Sequence, residues 1–309
     1  MVANKIAILS PGDMGHAVGR VLSEHGFDIL THLEGRSERT RALAQDAGFR
    51  ISTSLNELII EADLVLSILV PAQAEAVAKE IAHALDETGQ STLVADCNAI
   101  SPMRSEYIGR IVESAGGRYI DASIIGHPPG RDVAPRFYVS GSYADSMMEL
   151  DGKGIAVKNL GNDIGRASGI KMCYAALTKG TSTLQVALLT VAESLGLSVE
   201  LHDELAYSQK GALDSMKSGI SKLPPNAHRW IGEMEEIAET FAAEGMTPDF
   251  HLGAAAIYRL LEQTPYALES PENIDPNRTL AETIAATAAQ LPKSGIVGSK
   301  KVDQPVDTD

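Results

Sequence analysis

Length, composition and charge already restrict the class of protein. The chain has 309 residues, of which 44% are hydrophobic and 22% are charged, a balance typical of globular chains and not of disordered ones. The formal net charge of −15 argues against a general nucleic-acid-binding or anionic-membrane surface. At about 150 residues per domain, the length predicts roughly two domains.

Cysteine content and hydropathy favour an intracellular protein. No apolar run approaches the roughly 18 residues of a membrane span. The amino terminus leads directly into an apolar segment without signal-peptide architecture. Cys97 and Cys173 are too few for a disulfide framework or a zinc site, which suits a reducing compartment. We therefore expect a cytoplasmic protein without membrane, nucleic-acid or metal partners.

The first half of the chain alternates apolar strands with amphipathic helices. Residues 4–9 form a short apolar run ended by Ser10-Pro11-Gly12, and a helical pattern then follows from Met14 to Leu22. This alternation predicts an α/β fold with a doubly wound parallel sheet of the Rossmann type. Further strands are expected at 27–33, 63–70 and 91–96, and further helices at 39–47, after the capping box at 54–57, at 72–85 and from 101.

The pattern changes near residue 160, beyond which only helices are expected. Residues 167–195 contain no proline and predict one long helix of about 40 Å. We therefore expect a Rossmann domain at 1–160, an all-α domain at 161–294 and a loose tail at 295–309. The long helix and the apolar helical domain favour a homodimer, in which the partner's helices complete the cleft. Additional helices are predicted at 200–220, 227–244, 249–262 and 277–290.

The turn after the first strand has the residues of a dinucleotide phosphate cradle. Ser10-Pro11-Gly12-Asp13-Met14-Gly15 matches G-x-G-x-x-G, with serine at the first glycine. Because the turn follows a strand and begins a helix, the pattern predicts that the pyrophosphate of NAD or NADP binds at this helix terminus. A tight turn without a ligand is the alternative. The expected cofactor-binding residues are Ser10, Gly12, Asp13, Met14 and Gly15.

The loop after the second strand gives conflicting signals about the cofactor. Glu34 follows Gly15 by about 20 positions, where a carboxylate binds the ribose 2′-hydroxyl of NAD. Arg36 and Ser37 suit the 2′-phosphate of NADP instead, and this pair favours NADP. An exposed charged loop that touches no cofactor is the third possibility.

Two residues after later strands complete the expected cofactor site. Val70 ends the predicted strand 63–70 and lies on the cofactor edge of the expected sheet. Asn98 follows the strand 91–96, and its amide offers both a donor and an acceptor to the nicotinamide carboxamide. A simple Asx turn before Ser101-Pro102 is the alternative role for Asn98.

Four segments in this order resemble the β-hydroxyacid dehydrogenase superfamily, which includes 6-phosphogluconate and 3-hydroxyisobutyrate dehydrogenases. The segments are residues 12–15, 96–102, 121–127 and 165–171. The resemblance implies an NAD(P)-dependent oxidoreductase that interconverts a hydroxyl and a carbonyl on a small carboxylate-bearing substrate. It also implies that Lys171 is the general acid/base, and that Ser123 and His127 lie where substrate groups bind.

The sequence departs from the family pattern at several substrate positions. The family's motif serine falls on Ile125, its second glycine on His127, and the asparagine expected four residues after the lysine on Ala175. Segments 33–37 and 228–234 are most similar to a less characterised branch with a phosphogluconate-dehydrogenase-like C-terminal domain. The resemblance therefore implies the fold and the redox class but not the identity of the substrate. An imine or ketone reductase and a non-catalytic NAD(P)-binding regulatory protein are the alternative functions.

Tyr174 and Arg229 are the remaining candidate substrate-binding residues. Tyr174 lies three positions after Lys171 and can partly replace the missing asparagine, although a packed core tyrosine is equally compatible. Arg229 suits a carboxylate, although its neighbour Trp230 can also simply anchor the helical core. For Lys179 we expect a structural or solvated role. Segments 164–192 and 207–230 contain several lysine and arginine residues but together only one acidic residue, Asp214. We therefore expect a small anionic substrate.

Overall fold

The computed structural model describes residues 4–130, 133–270 and 273–292, which form one sheet and eleven α-helices. The predicted tail at 295–309 lies outside the described residues. The strands are β1 (Lys5–Leu9), β2 (Asp28–Thr31), β3 (Arg50–Ile51), β4 (Leu64–Ser67), β5 (Leu93–Asp96), β6 (Arg118–Ile125), β7 (Arg136–Ser140) and β8 (Ala156–Asn159). The helices are α1 (Asp13–Glu24), α2 (Glu38–Asp46), α3 (Leu55–Glu61), α4 (Ala74–Thr88), α5 (Pro102–Ser114), α6 (Arg166–Leu195), α7 (Ser198–Ser208), α8 (Lys210–Gly219), α9 (Ala227–Ala243), α10 (Asp249–Glu262) and α11 (Leu280–Ala288).

The sheet has the strand order β3-β2-β1-β4-β5-β6-β7-β8. Its first six strands are parallel, which confirms the predicted Rossmann architecture. Beyond these six strands, β7 runs antiparallel to β6, with Asp121 opposite Ser140. The connection between Ile125 and Arg136 is too short for the helical crossover that a parallel neighbour requires. The chain therefore turns back directly.

Hydrophobic clusters cover both faces of the sheet, and the helical region has a core of its own. Leu66 and Phe137 lie in the cluster on one face, and Val65 and Ile81 in the cluster on the other. From Arg166 onward, every described element is helical. The predicted helix at 200–220 is in fact two helices, because the backbone leaves helical geometry at Gln209 (φ −136°, ψ 42°). Met172, Tyr258 and Ile284 belong to the helical core.

A buried carboxylate fixes the start of the long helix α6 against the sheet. Asp121 Oδ2 accepts hydrogen bonds from the backbone N–H groups of Gly165 (2.8 Å), Ala167 (3.0 Å) and Ser168 (3.2 Å). A negative charge at this position is favourable because the first N–H groups of a helix lack internal partners. This anchor sets the position of Lys171, which lies in the second turn of α6.

Candidate functional site

The candidate site lies at the carboxyl edge of the parallel sheet. The turn after β1, the residues after β4 and β5, and the end of β6 all meet at this edge. In doubly wound sheets, ligands bind in the crevice outside the carboxyl ends of the strands. The cradle residues, Val70, Asn98 and the strand next to Lys171 are thereby gathered along one side of the molecule.

Helix α9 forms the opposite wall of this cleft. Arg229, Glu233 and Glu236 share one face of α9, because they follow one another at intervals of four and three residues. Arg229 Nη1 lies 3.6 Å from Asp13 Oδ2 at the start of α1. Glu236 Oε2 accepts a hydrogen bond from the backbone N–H of Ser101 at 2.8 Å. The helical region therefore contacts the sheet region on both sides of Glu233.

The turn after β1 has the backbone shape of a phosphate cradle. Ser10 adopts a left-handed conformation (φ 58°), and its carbonyl accepts a hydrogen bond from the Gly12 N–H at 2.7 Å. A Cβ at Gly15 would lie 3.2 Å from the Ile8 Cγ2 atom, so glycine allows α1 to pack tightly on β1. A Cβ at Gly12 would meet only the Ser10 oxygen, at 4.0 Å, so the space above the turn is open. This open turn at the start of a helix fits a pyrophosphate.

Asp13 joins the cradle to cations on two other helices. Its carboxylate forms ion pairs with Arg39 of α2 and, at 3.6 Å, with Arg229 of α9. Met14, the next residue, is partly buried and packs against the hydrophobic cluster that contains Leu66 and Phe137. Asp13 thus collects two guanidinium groups at the mouth of the cradle, where an anionic cofactor would enter.

In the loop after β2, Arg36 and not Glu34 has an unused polar group directed into the protein. The Glu34 side chain is 86% exposed and lies 3.4 Å from His32 Nε2. The Ser37 hydroxyl caps α2 by accepting a hydrogen bond from the Thr40 N–H. Arg36 Nε is buried and has no hydrogen-bond partner among the described residues. Because buried donors are normally paired, this guanidinium fits an anionic ligand such as a 2′-phosphate.

Asn98 ties together the ends of β4 and β5. Its Oδ1 accepts a hydrogen bond from the Leu69 N–H (2.5 Å), and its Nδ2 donates one to Ser67 Oγ (3.2 Å). Its own N–H donates to Asp96 Oδ1 at 2.9 Å, so the Asx turn expected here belongs to Asp96. Asn98 is buried, whereas Val70, in the loop that Asn98 holds, is half-buried.

Lys171 is held at the cleft by a backbone carbonyl. Its Nζ donates a hydrogen bond to the Ile124 carbonyl oxygen of β6 at 3.0 Å and lies 3.7 Å from Glu233 Oε1. The side chain is 17% exposed, so it is largely removed from water but still reachable. An ammonium group in this setting has a fixed direction and one or more N–H groups left for a ligand.

Glu233 is a site residue that the sequence analysis missed. It is buried and also forms an ion pair with Lys179, for which a structural or solvated role was expected. Burial alone would raise the pKa of Glu233, but the cations Lys179, Lys171 and Arg229 hold it below the usual value. Burial lowers the pKa of Lys179 to about 8, an effect that Lys171 and Arg229 reinforce and Glu233 opposes. The four-residue spacing between Arg229 and Glu233 was the available signal.

Comparisons with known proteins agree with this geometry. Residues 5–149 match the family model of the NAD binding domain of 6-phosphogluconate dehydrogenase, and residues 192–261 match a domain of unknown function, DUF1932. An uncharacterized 28.5 kDa protein in the 7S RNA 5′ region of Methanothermus fervidus is 24% identical over 247 residues, which are 79% of this chain and 93% of that protein.

Two solved structures extend the likeness to nearly the whole chain. A conserved protein of unknown function with structural similarity to 3-hydroxyacid dehydrogenases is 26% identical, with a TM-score of 0.62 over 84% of this chain and 96% of that one. Mycobacterium tuberculosis 3-hydroxyisobutyrate dehydrogenase, solved with L-serine, has the same fold at 19% identity and a TM-score of 0.65, over 94% of this chain and 99% of that one. Together, the family match of the N-terminal region and the shared fold support a place for the chain in the β-hydroxyacid dehydrogenase-like superfamily.

Three of the predicted substrate residues lie in different surroundings. Ser123 is fully buried and donates its hydroxyl hydrogen to the Ala167 carbonyl oxygen at 2.7 Å, so here it joins β6 to α6. His127 is exposed in the loop after β6. Tyr174 is also exposed, although its neighbour Ala175 on α6 is buried. The structure thus brings Lys171, Lys179, Glu233 and Arg229 close together and leaves Ser123 and Tyr174 in other surroundings.

The described residues contain neither a metal-binding cluster nor a membrane-spanning helix. Within residues 4–130, 133–270 and 273–292, no group of three or more His, Cys, Asp or Glu side chains could hold a metal ion. No helix among those residues is both long and apolar enough to cross a bilayer.

Proposed function

We propose that this protein is an oxidoreductase that interconverts a hydroxyl and a carbonyl on a small carboxylate-bearing substrate, with Lys171 as the general acid/base. The observation that carries the proposal is the Lys171 ammonium, which is mostly buried at the carboxyl edge of the sheet and oriented by the Ile124 carbonyl. A bound nicotinamide cofactor supplies or accepts the hydride. Lys171 donates a proton to the substrate oxygen in reduction and removes the hydroxyl proton in oxidation.

The residues that would hold the cofactor are those of the β1–α1 turn and the loop after β2. The open space above Gly12 and the start of α1 suit the pyrophosphate. The guanidinium of Arg36, whose Nε has no hydrogen-bond partner among the described residues, supports a preference for NADP, since its charge suits a 2′-phosphate. Glu34 points into solvent, as its 86% exposed side chain indicates, and this is why we favour NADP over NAD.

The charge of the cleft supports a small anionic substrate. Lys171, Lys179 and Arg229 surround the buried carboxylate Glu233. Because the protein as a whole has a net charge of −15, this local group of cations suits one small anion and not a polyanion such as nucleic acid. Arg229, now paired with Asp13 at 3.6 Å, would be available to a substrate or cofactor anion if it exchanged that partner.

We also propose that the protein works as a homodimer. Helix α7 has eleven residues, and none of them is buried within one chain. An amphipathic helix gains its stability from packing rather than from propensity alone, so a helix with no buried residue in one chain is expected to pack against a partner. A second copy of this chain is the proposed partner because α7 follows directly on the exposed apolar side of α6.

Substitution of Lys171 tests the proposed chemistry. The assay measures the change in nicotinamide absorbance as the protein oxidises hydroxy acids or reduces keto acids from a panel, with NADP(H) and with NAD(H). We expect Lys171→Ala to lower kcat by about 100-fold or more, because general acid/base catalysis contributes at least that factor. Lys158→Ala, on the exposed face of the edge strand β8, is the matched control and should retain full activity.

Other outcomes of the same assay favour the alternatives. A buried alanine at position 175, where the family pattern implies asparagine, is the observation that favours an imine reductase as the second candidate. Turnover of imines that Lys171→Ala leaves unchanged would support that function and contradict ours. Tight NADPH binding by calorimetry without turnover of any substrate in the panel would indicate a regulatory protein instead.

A further inference from the structure

The side chains of Lys171, Ala175 and Lys179 share one face of α6. They follow one another at intervals of four residues, and helical side chains point towards the helix N-terminus. Lys179 therefore extends back towards Lys171, and only the methyl group of Ala175 lies between them on this face. Both ammonium groups meet the same carboxylate, Glu233, which enters from α9. Ala175, which stands where the family pattern has asparagine, thus lies beside a second lysine, Lys179, that is paired with the carboxylate of Glu233.

Glu233 divides its two oxygens unequally between the two lysines. Oε2 is in direct contact with Lys179 Nζ, whereas Oε1 is 3.7 Å from Lys171 Nζ and has no hydrogen-bond partner among the described residues. Lys171 donates instead to the neutral carbonyl of Ile124 at 3.0 Å. A lysine in close contact with a carboxylate retains its proton strongly, which would make it a poor base. Here, Lys179 takes the close contact.

Among the polar groups around Lys171 and Lys179, the Lys179 ammonium is the main charge that repels the Lys171 ammonium. From α9, Arg229 adds a further positive charge, and the Trp230 ring lies 5.5 Å from Lys179 Nζ. From α10, the Tyr258 hydroxyl donates to the Lys179 carbonyl oxygen at 3.4 Å, and burial together with Glu233 raises the pKa of that phenol. Since the pKa of Lys179 is about 8, its ammonium is mainly charged at neutral pH.

We propose that Lys179 and Glu233 are positioning residues for Lys171: Lys179 occupies the carboxylate that would otherwise hold the Lys171 proton, and its own charge keeps that proton mobile. The proposal rests on the proposed function, in which Lys171 exchanges a proton with the substrate oxygen. It also accounts for a small residue at position 175, which leaves room for Lys179 to extend towards Lys171.

Two substitutions should shift the titration of Lys171 in opposite directions. In Lys179→Met, Glu233 is free to pair with Lys171, and a positive neighbour is lost, so Lys171 should keep its proton to a pH about one unit higher. In Glu233→Gln, the two ammonium groups face each other without a carboxylate, so Lys171 should lose its proton at a pH lower by about one unit. A pair that only packs between the helices, without acting on the Lys171 charge, would leave the midpoint unchanged in both variants.

The measurement is an NMR titration of the full chain labelled with 13Cε-lysine, without substrate, with the Lys171 signal assigned through Lys171→Arg. Lys179→Arg keeps the charge and should restore the wild-type midpoint, and Lys217→Met on the exposed face of α8 should leave it unchanged. If Glu233→Gln does not fold, the contrast between Lys179→Met and Lys179→Arg decides the question. Shifts of equal sign, or no shift in folded variants, would overturn the proposal.

The pH dependence of turnover separates this proposal from the proposed function. If both hold, the pH profile of oxidation moves in the same direction as the NMR midpoint in each variant. Opposite NMR shifts in a protein that turns over no hydroxy or keto acid would support the charge coupling and contradict the proposed reaction. Full activity in Lys171→Ala together with unshifted midpoints would contradict both.

Discussion

At the residue scale, Asp96 is a buried carboxyl group whose surroundings favour its protonated form. It lies at the end of β5, is 3% exposed, and accepts one hydrogen bond from the Asn98 N–H. Burial raises its pKa to about 7; the Asn98 hydrogen bond opposes this shift, and the nearby Asp121 and Glu236 carboxylates add to it. The native protein thus binds a proton here that the unfolded chain releases near its ordinary pKa of 3.8.

This difference predicts the sign of a pH effect on stability. Between about pH 4 and pH 7 the native state binds more protons at Asp96 than the unfolded state does, so this contribution to the free energy of unfolding falls as the pH rises. Asp96→Asn stays neutral and keeps an acceptor for Asn98. Urea unfolding measures the difference in free energy of unfolding between the variant and wild type. This difference should move in favour of the variant by a few kcal/mol from about pH 5 to pH 8. The exposed Asp214→Asn is the control, and an equal effect of Asp96→Asn at both pH values would refute the argument.

Local sequence signals could predict some site residues but not others. Gly12, Gly15 and Lys171 belong to motifs with short spacings that lie next to a recognisable strand or helix start, so their positions follow from secondary structure. Glu233 acts through contacts with Lys171 and Lys179 on a different helix, far away in sequence. No periodicity within α9 encodes which helix it will face, and for that reason the shared carboxylate required the tertiary structure.

At the element scale, the start of α6 depends on Gly165. Its backbone is left-handed (φ 97°), and an added Cβ would lie 3.2 Å from the Pro102 Cβ on α5. Gly165→Ala should therefore destabilise the protein by about 1–3 kcal/mol, through backbone strain and a tight contact. Gly253→Ala in the exposed middle of α10, where an added Cβ meets nothing within 4 Å, should instead stabilise by up to about 1 kcal/mol. Urea unfolding of the two variants compares these effects, and equal signs would contradict the prediction.

Elements with a strong helical period were predictable, and those fixed by neighbours were not. The sequence indicated α6, α9 and α10 to within about two residues, because each has a clear apolar face or lacks breakers. It did not indicate the separation of α7 from α8, since Gln209 is neither glycine nor proline. The direction of β7 follows from the short loop that precedes it and not from its own residues.

At the scale of the whole molecule, an apolar stripe runs along the exposed side of α6 and continues into α7. A heptad interval separates its central members, which is the period at which two helices pack side by side. Single exposed apolar residues are ordinary, but a continuous row on a 30-residue helix marks an interaction surface. The stripe consists of Ile170, Leu177, Leu184 and Val191, with Tyr174 and Leu195 beside them and Val199 and Tyr207 on α7.

A charge placed in this stripe tests the proposed homodimer. Leu184 is 66% exposed in one chain and lies at the middle of the row, so Leu184→Glu should convert a dimer into a monomer by burying an unpaired carboxylate at the interface. Leu268→Glu is the matched control, because Leu268 is 93% exposed and lies outside both helices. Sedimentation analysis of wild type and both variants gives the masses, and a wild-type monomer, or a Leu184→Glu dimer, would contradict the assignment. Since α6 also contains Lys171, we expect the monomeric variant to lose turnover as well, whereas Leu268→Glu should retain it.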